Sequence, residues 1–343
     1  MNLMSEDEFL QRAVSVPMQT LQWELAKRKG VDVVVRRDDL VDSNLSGNKF
    51  YKLFYNLQQA KIGGYQLVLS FGGAYSNHLY ALAIAGRNFG FKTIGVIRGE
   101  RPKHLSPTLQ DAERWGMQLH FISRINYREH TRHALNEMQP EYGELVKIYG
   151  DFYSIPEGGA NSQGLRGAQV IGWAIQQLKA EYTAICLACG TGNTLAGVAA
   201  GIANAEVTGF NVGSEIGSEI SVAELVTEAP KVIGFSVLKG DGDLGERIIT
   251  QQQNLGLRSN NWRLISGYHA GGYAKKLPDV VQEFSHVFER ETMLQLDPVY
   301  TLKMFYGVAQ LLALNYWPRG SRLILIHTGG LQGRRGFNTA GLL

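Results

Sequence analysis

The residues of this chain that could do chemistry sit where apolar runs break into glycine-rich turns. In SGNKFYKLFYNL (46–57), Lys49 opens a helical stretch directly after Gly47 and Asn48, and Lys52 follows one turn later. A cation at a helix start is opposed by the helix dipole. Burial of the same amine would shift it toward its neutral form, the state in which a lysine attacks a carbonyl carbon. From charge placement alone, the plainer reading is two solvated lysines on an amphipathic helix.

A second segment, CGTGNT (189–194), joins the apolar run AICLAC to a helix of small residues. Gly190 and Gly192 let backbone amides approach an anion, Thr191, Asn193 and Thr194 add side-chain donors, and the helix presents its positive end to the same spot. A phosphate fits such a turn. A dinucleotide fingerprint needs a third glycine where Leu195 stands and an acidic residue ending the next strand, which KVIGFSVL (231–238) lacks. The alternative is a tight strand-to-helix turn with no ligand.

SFGGAYSNHLYALAIAG (70–86) repeats the strand, turn and helix arrangement. Ser76 suits an N-cap, and the amides of Asn77 and His78 behind it form an anion cradle sized for a carboxylate. Tyr268 and Tyr273 in SGYHAGGYA (266–274) and Tyr300 in LDPVYTLKM (296–304) fall in loops near strand ends. The run LILIH (323–327) closes on Thr328, Gly329 and Gly330, another ligand-type turn at a strand's carboxyl end.

The elements that must position these residues alternate along the chain. Strands are expected at 31–37, 66–71, 92–99, 118–123, 183–189, 231–238, 262–266 and 322–327, with helices between most of them, as at 49–62, 76–88, 106–115, 126–138, 162–180 and 194–204. Glycine-bounded runs of β-branched residues separated by helices predict an α/β fold with parallel sheets covered on both faces. Irregular connections favour two open sheets over a barrel.

The 343 residues suffice for two compact domains, and 44% hydrophobic with 19% charged residues is ordinary for a soluble globular protein. A net charge of +3 is too small to argue for nucleic acid or an anionic membrane as a partner. No run reaches the roughly 18–20 apolar residues that span a bilayer, and the acidic opening residues Glu6, Asp7 and Glu8 are not expected to belong to a secretory signal. The expectation is a soluble cytoplasmic protein. Cys186 and Cys189 lie three apart on an expected strand, so their thiols should diverge, and no metal site is expected. The acidic segment 213–228 is expected to be a solvated connection with one helix face.

RRDDL (36–40), SGNK..KL (46–53), GG..SNH (72–78), G.GNT (190–194), DPVY (297–300) and HTGG (327–330), in this order, resemble the D-cysteine desulfhydrase and 1-aminocyclopropane-1-carboxylate deaminase family of fold-type II pyridoxal-phosphate enzymes. The resemblance runs from about Val35 to Gly330. It implies a tryptophan synthase beta-like fold of two open, twisted, mostly parallel sheets covered by helices. It further implies a large cofactor-binding domain of 1–49 with 158–343, a small inserted α/β domain of 50–157, and a homodimer.

The resemblance also implies roles. Lys49 forms the Schiff base with pyridoxal 5'-phosphate; Gly190, Thr191, Gly192, Asn193 and Thr194 hold its phosphate. Asn77 contacts the ring hydroxyl, and Thr328 meets the ring nitrogen. Ser76, Asn77, His78, Tyr268 and Tyr300 bind the substrate, and Lys49, Ser76, Tyr268 and Tyr300 form the catalytic set. The deaminase branch resembles DPVYE and HLGG, with Glu and Leu facing the cofactor or substrate. Thr301 and Thr328 at those positions, and SNH rather than SNQ, look like the desulfhydrase branch. The implied reaction is α,β-elimination on a small amino acid such as D-cysteine. The alternatives are deamination of a cyclopropane amino acid or of D-serine and, from another class, a non-catalytic binder of a phosphorylated cofactor. Two departures from the family pattern, at 50–54 (Phe50, Tyr51 and Phe54 replacing polar residues) and after HTGG (LQGRRGFN), are expected to lie close to the cofactor.

Overall fold

The computed structural model describes residues 3–133, 143–203, 231–240, 242–257 and 259–339. The acidic segment 213–228 lies outside them. The chain folds as two open sheets. One has six strands, in the order β1 (Met18–Thr20), β2 (Asp32–Arg36), β10 (Arg322–Ile326), β7 (Ala184–Cys189), β8 (Val232–Ser236) and β9 (Trp262–Ile265). The other has four, in the order β5 (Met117–Ile122), β4 (Lys92–Arg98), β3 (Leu67–Gly72) and β6 (Tyr153–Ile155). Every pairing is parallel except β1 with β2. The four-stranded sheet draws on residues 67–155, while the six-stranded sheet takes strands from both sides of that stretch.

The central strands explain this arrangement. All six residues of β7 and all five of β8 are buried, as both faces of a parallel sheet under helices must be. Cys186 packs with Val33, Val35 and Phe235, whereas Cys189 joins the opposite core with Leu195 and Ile248, so the two thiols diverge as expected. The eight expected strands all form. β1 and β6 were not anticipated, because three residues carry too little alternation to read.

The helices that matter for the site begin at the strand ends. α3 (Asn48–Ile62) carries Lys49, α4 (Asn77–Phe89) follows β3, and α9 (Asn193–Ala203) follows β7. α8 (Ser162–Gln176) packs against α3 closely enough that a side chain at Gly167 would strike the Tyr51 carbonyl. The sequence reading missed α1 (Glu6–Val14), α11 (Asp279–Thr292) and α12 (Thr301–Ala313), the last starting directly after Tyr300. Among the described residues no helix is long and apolar enough to cross a membrane.

Candidate active site

A cleft of about 440 Å³ lies where the ends of β3, β7 and β10 meet the start of α3, and Lys49 is on its wall. The lysine's place is fixed by a tight turn. Gly47 has φ of +72°, and a Cβ there would stand 2.1 Å from the Thr328 carbonyl oxygen. Only glycine permits that approach. The Gly47 amide donates to the Asp38 carbonyl (2.9 Å), and the Asn48 amide donates to the Thr328 carbonyl (3.2 Å). Asp38 is anchored in turn: its buried carboxylate accepts from Arg36 Nε (3.1 Å) and from the Tyr51 hydroxyl (2.6 Å). The RRDDL segment is thus a buried ionic foundation for the lysine turn.

Lys49 is the second residue of α3, where the dipole disfavours a cation. Its amine is desolvated, which lowers its pKa to about 8, against a smaller upward pull from the Asp297 carboxylate. Lys52 lies further along the same wall, and its Nζ donates to the Gly158 carbonyl (2.8 Å). Burial, and then the nearby Lys49, hold it well below the ordinary lysine value. Sequence reading gave Lys52 no role. Its spacing of three from Lys49 was the available signal, since residues three apart share a helix face.

The glycine turn borders the cleft from the other side. Gly190, Thr191, Gly192 and Thr194 line it, and Asn48 Nδ2 donates to Thr194 Oγ1 (3.0 Å), tying lysine turn to glycine turn. Asn193 does not line the cleft. It is fully buried, and its Nδ2 donates to the Asn161 carbonyl (3.1 Å), so it shapes the turn from behind. Lys239 and Arg247, neither anticipated, line the same end, and Arg247 Nε is buried without a partner.

Ser76 caps α4, accepting from the Leu79 amide (3.2 Å), and Ser76, Asn77 and His78 all line the cleft. Asn77 Oδ1 accepts from Gln332 Nε2 (2.8 Å), and Asn77 Nδ2 faces Asp297 Oδ2 at 3.4 Å. Asp297 is fully buried, which raises its pKa to about 6, and it accepts from the Tyr300 amide (2.6 Å). Ser70 Oγ donates to the Ile155 carbonyl (2.7 Å), so it accepts from His78 Nε2 at 2.9 Å. That assignment leaves His78 Nδ1 as a buried lone pair without a partner. Burial and the two lysines push the His78 pKa well below the usual imidazole value, so the ring is neutral.

Of the tyrosines, Tyr300 lines the cleft, and so does Tyr273. Tyr268 does not: its ring packs edge-on against Phe235 (5.5 Å) and beside Gly307. Burial raises the Tyr300 and Tyr273 phenols above their usual pKa, so both keep their protons at neutral pH. Arg98 stands over the Tyr273 ring at 5.6 Å, with the half-buried Glu157 also on the wall. Thr328 lines the cleft, but Thr301 does not. The Thr301 hydroxyl accepts from the Asp297 amide (2.7 Å) at the start of α12, so it faces its own backbone rather than the cleft.

The two departures from the family pattern fall in different places. Phe50, Tyr51 and Phe54 lie on the face of α3 turned from the cleft and pack around Phe9 of α1, with Phe54 stacked at 3.9 Å. The expectation that they lie close to the cofactor is corrected: they build the α1–α3 core. The 331–338 departure does reach the cleft region, through Gln332 and Asn77.

A family model described as pyridoxal-phosphate dependent enzyme matches residues 16–329. The chain belongs to this family. A Thermotoga maritima protein, provisionally named 1-aminocyclopropane-1-carboxylate deaminase, is 31% identical over 92% of this chain and 94% of its own length. An Arabidopsis thaliana mitochondrial protein, named bifunctional D-cysteine desulfhydrase/1-aminocyclopropane-1-carboxylate deaminase, is 27% identical over 93% of this chain and 77% of its own. The crystal structure of a 1-aminocyclopropane-1-carboxylate deaminase homologue superposes with a TM-score of 0.74 at 26% identity, covering 99% of this chain and all of the other. The enzyme therefore falls in the deaminase and desulfhydrase group, and the reading as a non-catalytic binder is set aside.

The cleft fits the cofactor. It offers a desolvated amine for the aldehyde, a glycine turn flanked by Lys52 and Arg247 for a phosphate, and a volume within the usual range for small ligands. Lys52 makes only one hydrogen bond among the described residues, and Arg247 Nε makes none, so both have protons to give an anion.

Proposed function

We propose that the enzyme catalyses α,β-elimination on a small D-amino acid such as D-cysteine, giving pyruvate, ammonia and sulfide. The observation that carries this choice is Thr328, a neutral hydroxyl on the cleft wall at the position that the resemblance assigns to the ring nitrogen. When bound, the cofactor draws electrons from Cα, and beside a hydroxyl rather than an acid its ring is the weaker sink, which suits prompt loss of a β-leaving group.

In this reading Lys49 is the covalent anchor, and its amine, once displaced by the substrate amine, takes the Cα proton. An amine with a pKa near 8 is poised for that work at neutral pH. The amides of 190–194, with Lys52 and Arg247, hold the phosphate, and Asn77 donates to the ring hydroxyl. Ser76 and the amides at the start of α4 hold the substrate carboxylate, with the neutral His78 beside them. Tyr300 and Tyr273 present protonated phenols to the cleft, and one of them donates a hydrogen bond that stabilises the departing thiolate. Tyr273 takes the part that the sequence reading gave to Tyr268. A homodimer is proposed on the family resemblance, with light scattering as its test.

The names of the relatives favour a second reading, opening of a cyclopropane amino acid. The products separate the two. D-cysteine should yield pyruvate with sulfide, D-serine pyruvate alone, and 1-aminocyclopropane-1-carboxylate 2-oxobutanoate. Faster 2-oxobutanoate release than pyruvate release would replace the favoured reading with the second. Lys49→Ala should abolish all three and remove the borohydride-sensitive cofactor band.

A further inference from the structure

Tyr273 reaches the cleft from a loop that has little hydrogen bonding of its own. Between Gly267 and Ala274, five residues have positive φ: Gly267 (+98°), Ala270 (+46°), Gly271 (+86°), Gly272 (+124°) and Ala274 (+48°). Two of them are alanines, which rarely adopt this conformation unless their surroundings impose it. The internal bonds are few: the Gly272 amide donates to the His269 carbonyl (2.9 Å), and the Gly271 amide donates to His269 Nδ1 (3.2 Å).

The missing restraint comes from Lys303, on the first turn of α12, which is 2% exposed. Its Nζ donates to the carbonyls of Val237 (3.1 Å), His269 (2.9 Å) and Gly272 (3.0 Å). Three carbonyl acceptors use all three ammonium protons. A neutral amine has two protons and a lone pair, which one of those oxygens would repel. Two of the three acceptors belong to the tyrosine loop. The third precedes Leu238, Lys239 and Gly240, which line the cleft at the end near the glycine turn.

We propose that Lys303 is a positioning residue: its three backbone bonds pin the 267–274 loop to the end of β8 and so place Tyr273 in the cleft wall. Its effect on turnover rests on the reading that Tyr273 acts on the substrate, but the pinning itself does not. The placement is tight, because a Cβ on Gly73 would stand only 3.0 Å from the Tyr273 ring, so a shift of the loop changes the shape of the cleft.

The test compares Lys303→Met, Tyr273→Phe and the double variant in the holoenzyme, with Tyr268→Phe as a control. Lys275 and Lys276 are exposed just beyond the loop, so trypsin reports its release. Lys303→Met should retain the cofactor band and be cut after these lysines at least about tenfold faster than wild type, in line with local opening. Tyr273→Phe should lose about 100-fold in kcat, in the range for a hydrogen-bond donor to developing charge, and Lys303→Met a comparable amount. The double variant should be no more than about threefold worse than the poorer single, because residues acting through one another are not additive. If Lys303→Met does not fold, Lys303→Gln, whose amide can keep two of the three bonds, should show intermediate cleavage and activity. Unchanged trypsin cleavage, or multiplicative kinetic losses, would overturn the proposal. Faster cleavage together with an inert Tyr273→Phe would confirm the pin and sink the catalytic reading of Tyr273.

Discussion

The state of the Lys49 amine in the cofactor-free protein is open to direct measurement. Its pKa is lowered from 10.5 to about 8 because the amine is enclosed, a preference for the neutral form worth about 3 kcal/mol. At pH 7.5 about a quarter of the molecules carry the free amine, against about one in a thousand for an ordinary lysine, an advantage of roughly 200-fold. The assay strips the cofactor, adds back pyridoxal phosphate from pH 6.5 to 10, and follows the visible Schiff-base band by stopped flow. Nα-acetyl-lysine run in parallel gives the profile of a solvated amine with the same aldehyde, which keeps climbing until near its own pKa of about 10.5. The enzyme's rate should instead level off above a midpoint near 8. Asp297→Asn removes the carboxylate that raises the Lys49 pKa, so the midpoint should move down. An Asn side-chain oxygen can still accept from the Tyr300 amide, so the local turn should survive. A rate that climbs tenfold per pH unit beyond pH 9.5, as for a solvated lysine, would refute the reasoning, and so would an upward shift in Asp297→Asn.

Three further outcomes follow from the packing around the site. Gly47→Ala places a methyl on the Thr328 carbonyl in a positive-φ, extended conformation that alone costs about 1–3 kcal/mol, so the denaturant midpoint should fall and cofactor content should drop more steeply than folded content. Phe9→Ala empties the centre of the α1–α3 aromatic cluster and should cost about 3–5 kcal/mol by urea unfolding, while the kcat of the folded fraction stays unchanged. A large change in that kcat would mean that Phe50, Tyr51 and Phe54 bear on the cleft after all. Gln332→Leu removes the donor that holds the Asn77 amide and should weaken cofactor retention on dialysis by up to about tenfold, the loss of one hydrogen bond. Unaltered retention would show that Asn77 needs no such support.

Much of this architecture is written in local sequence, because its causes are local. Apolar β-branched runs stopped by glycine have to become covered strands, and the turns after β3, β7 and β10 can be read from their glycines and helix caps. The divergence of two cysteines three apart on a strand follows from chain geometry as soon as the element is known. The face taken by 50, 51 and 54 was not legible in this way: the family pattern suggests a place near the cofactor, and packing against α1 puts them on the face away from Lys49 and Lys52.

Other features depend on contacts between distant parts of the chain, and no local pattern encodes them. Asn77 meets Asp297 and Gln332 across more than 200 residues, and the ionisation of Lys49 is set first by burial among distant segments and then by the opposing pull of a carboxylate equally far away in sequence. Tyr268 and Tyr273 are five residues apart in one glycine-rich loop, and composition cannot tell which of them turns inward. The path of the loop decides it, through five left-handed residues and an ammonium on α12 that grips its carbonyls. Sequence determined which kinds of groups are present and which turns they ride on. Tertiary packing decided which of them share a cleft and which proton each one keeps, because desolvation and charge act through space rather than along the chain.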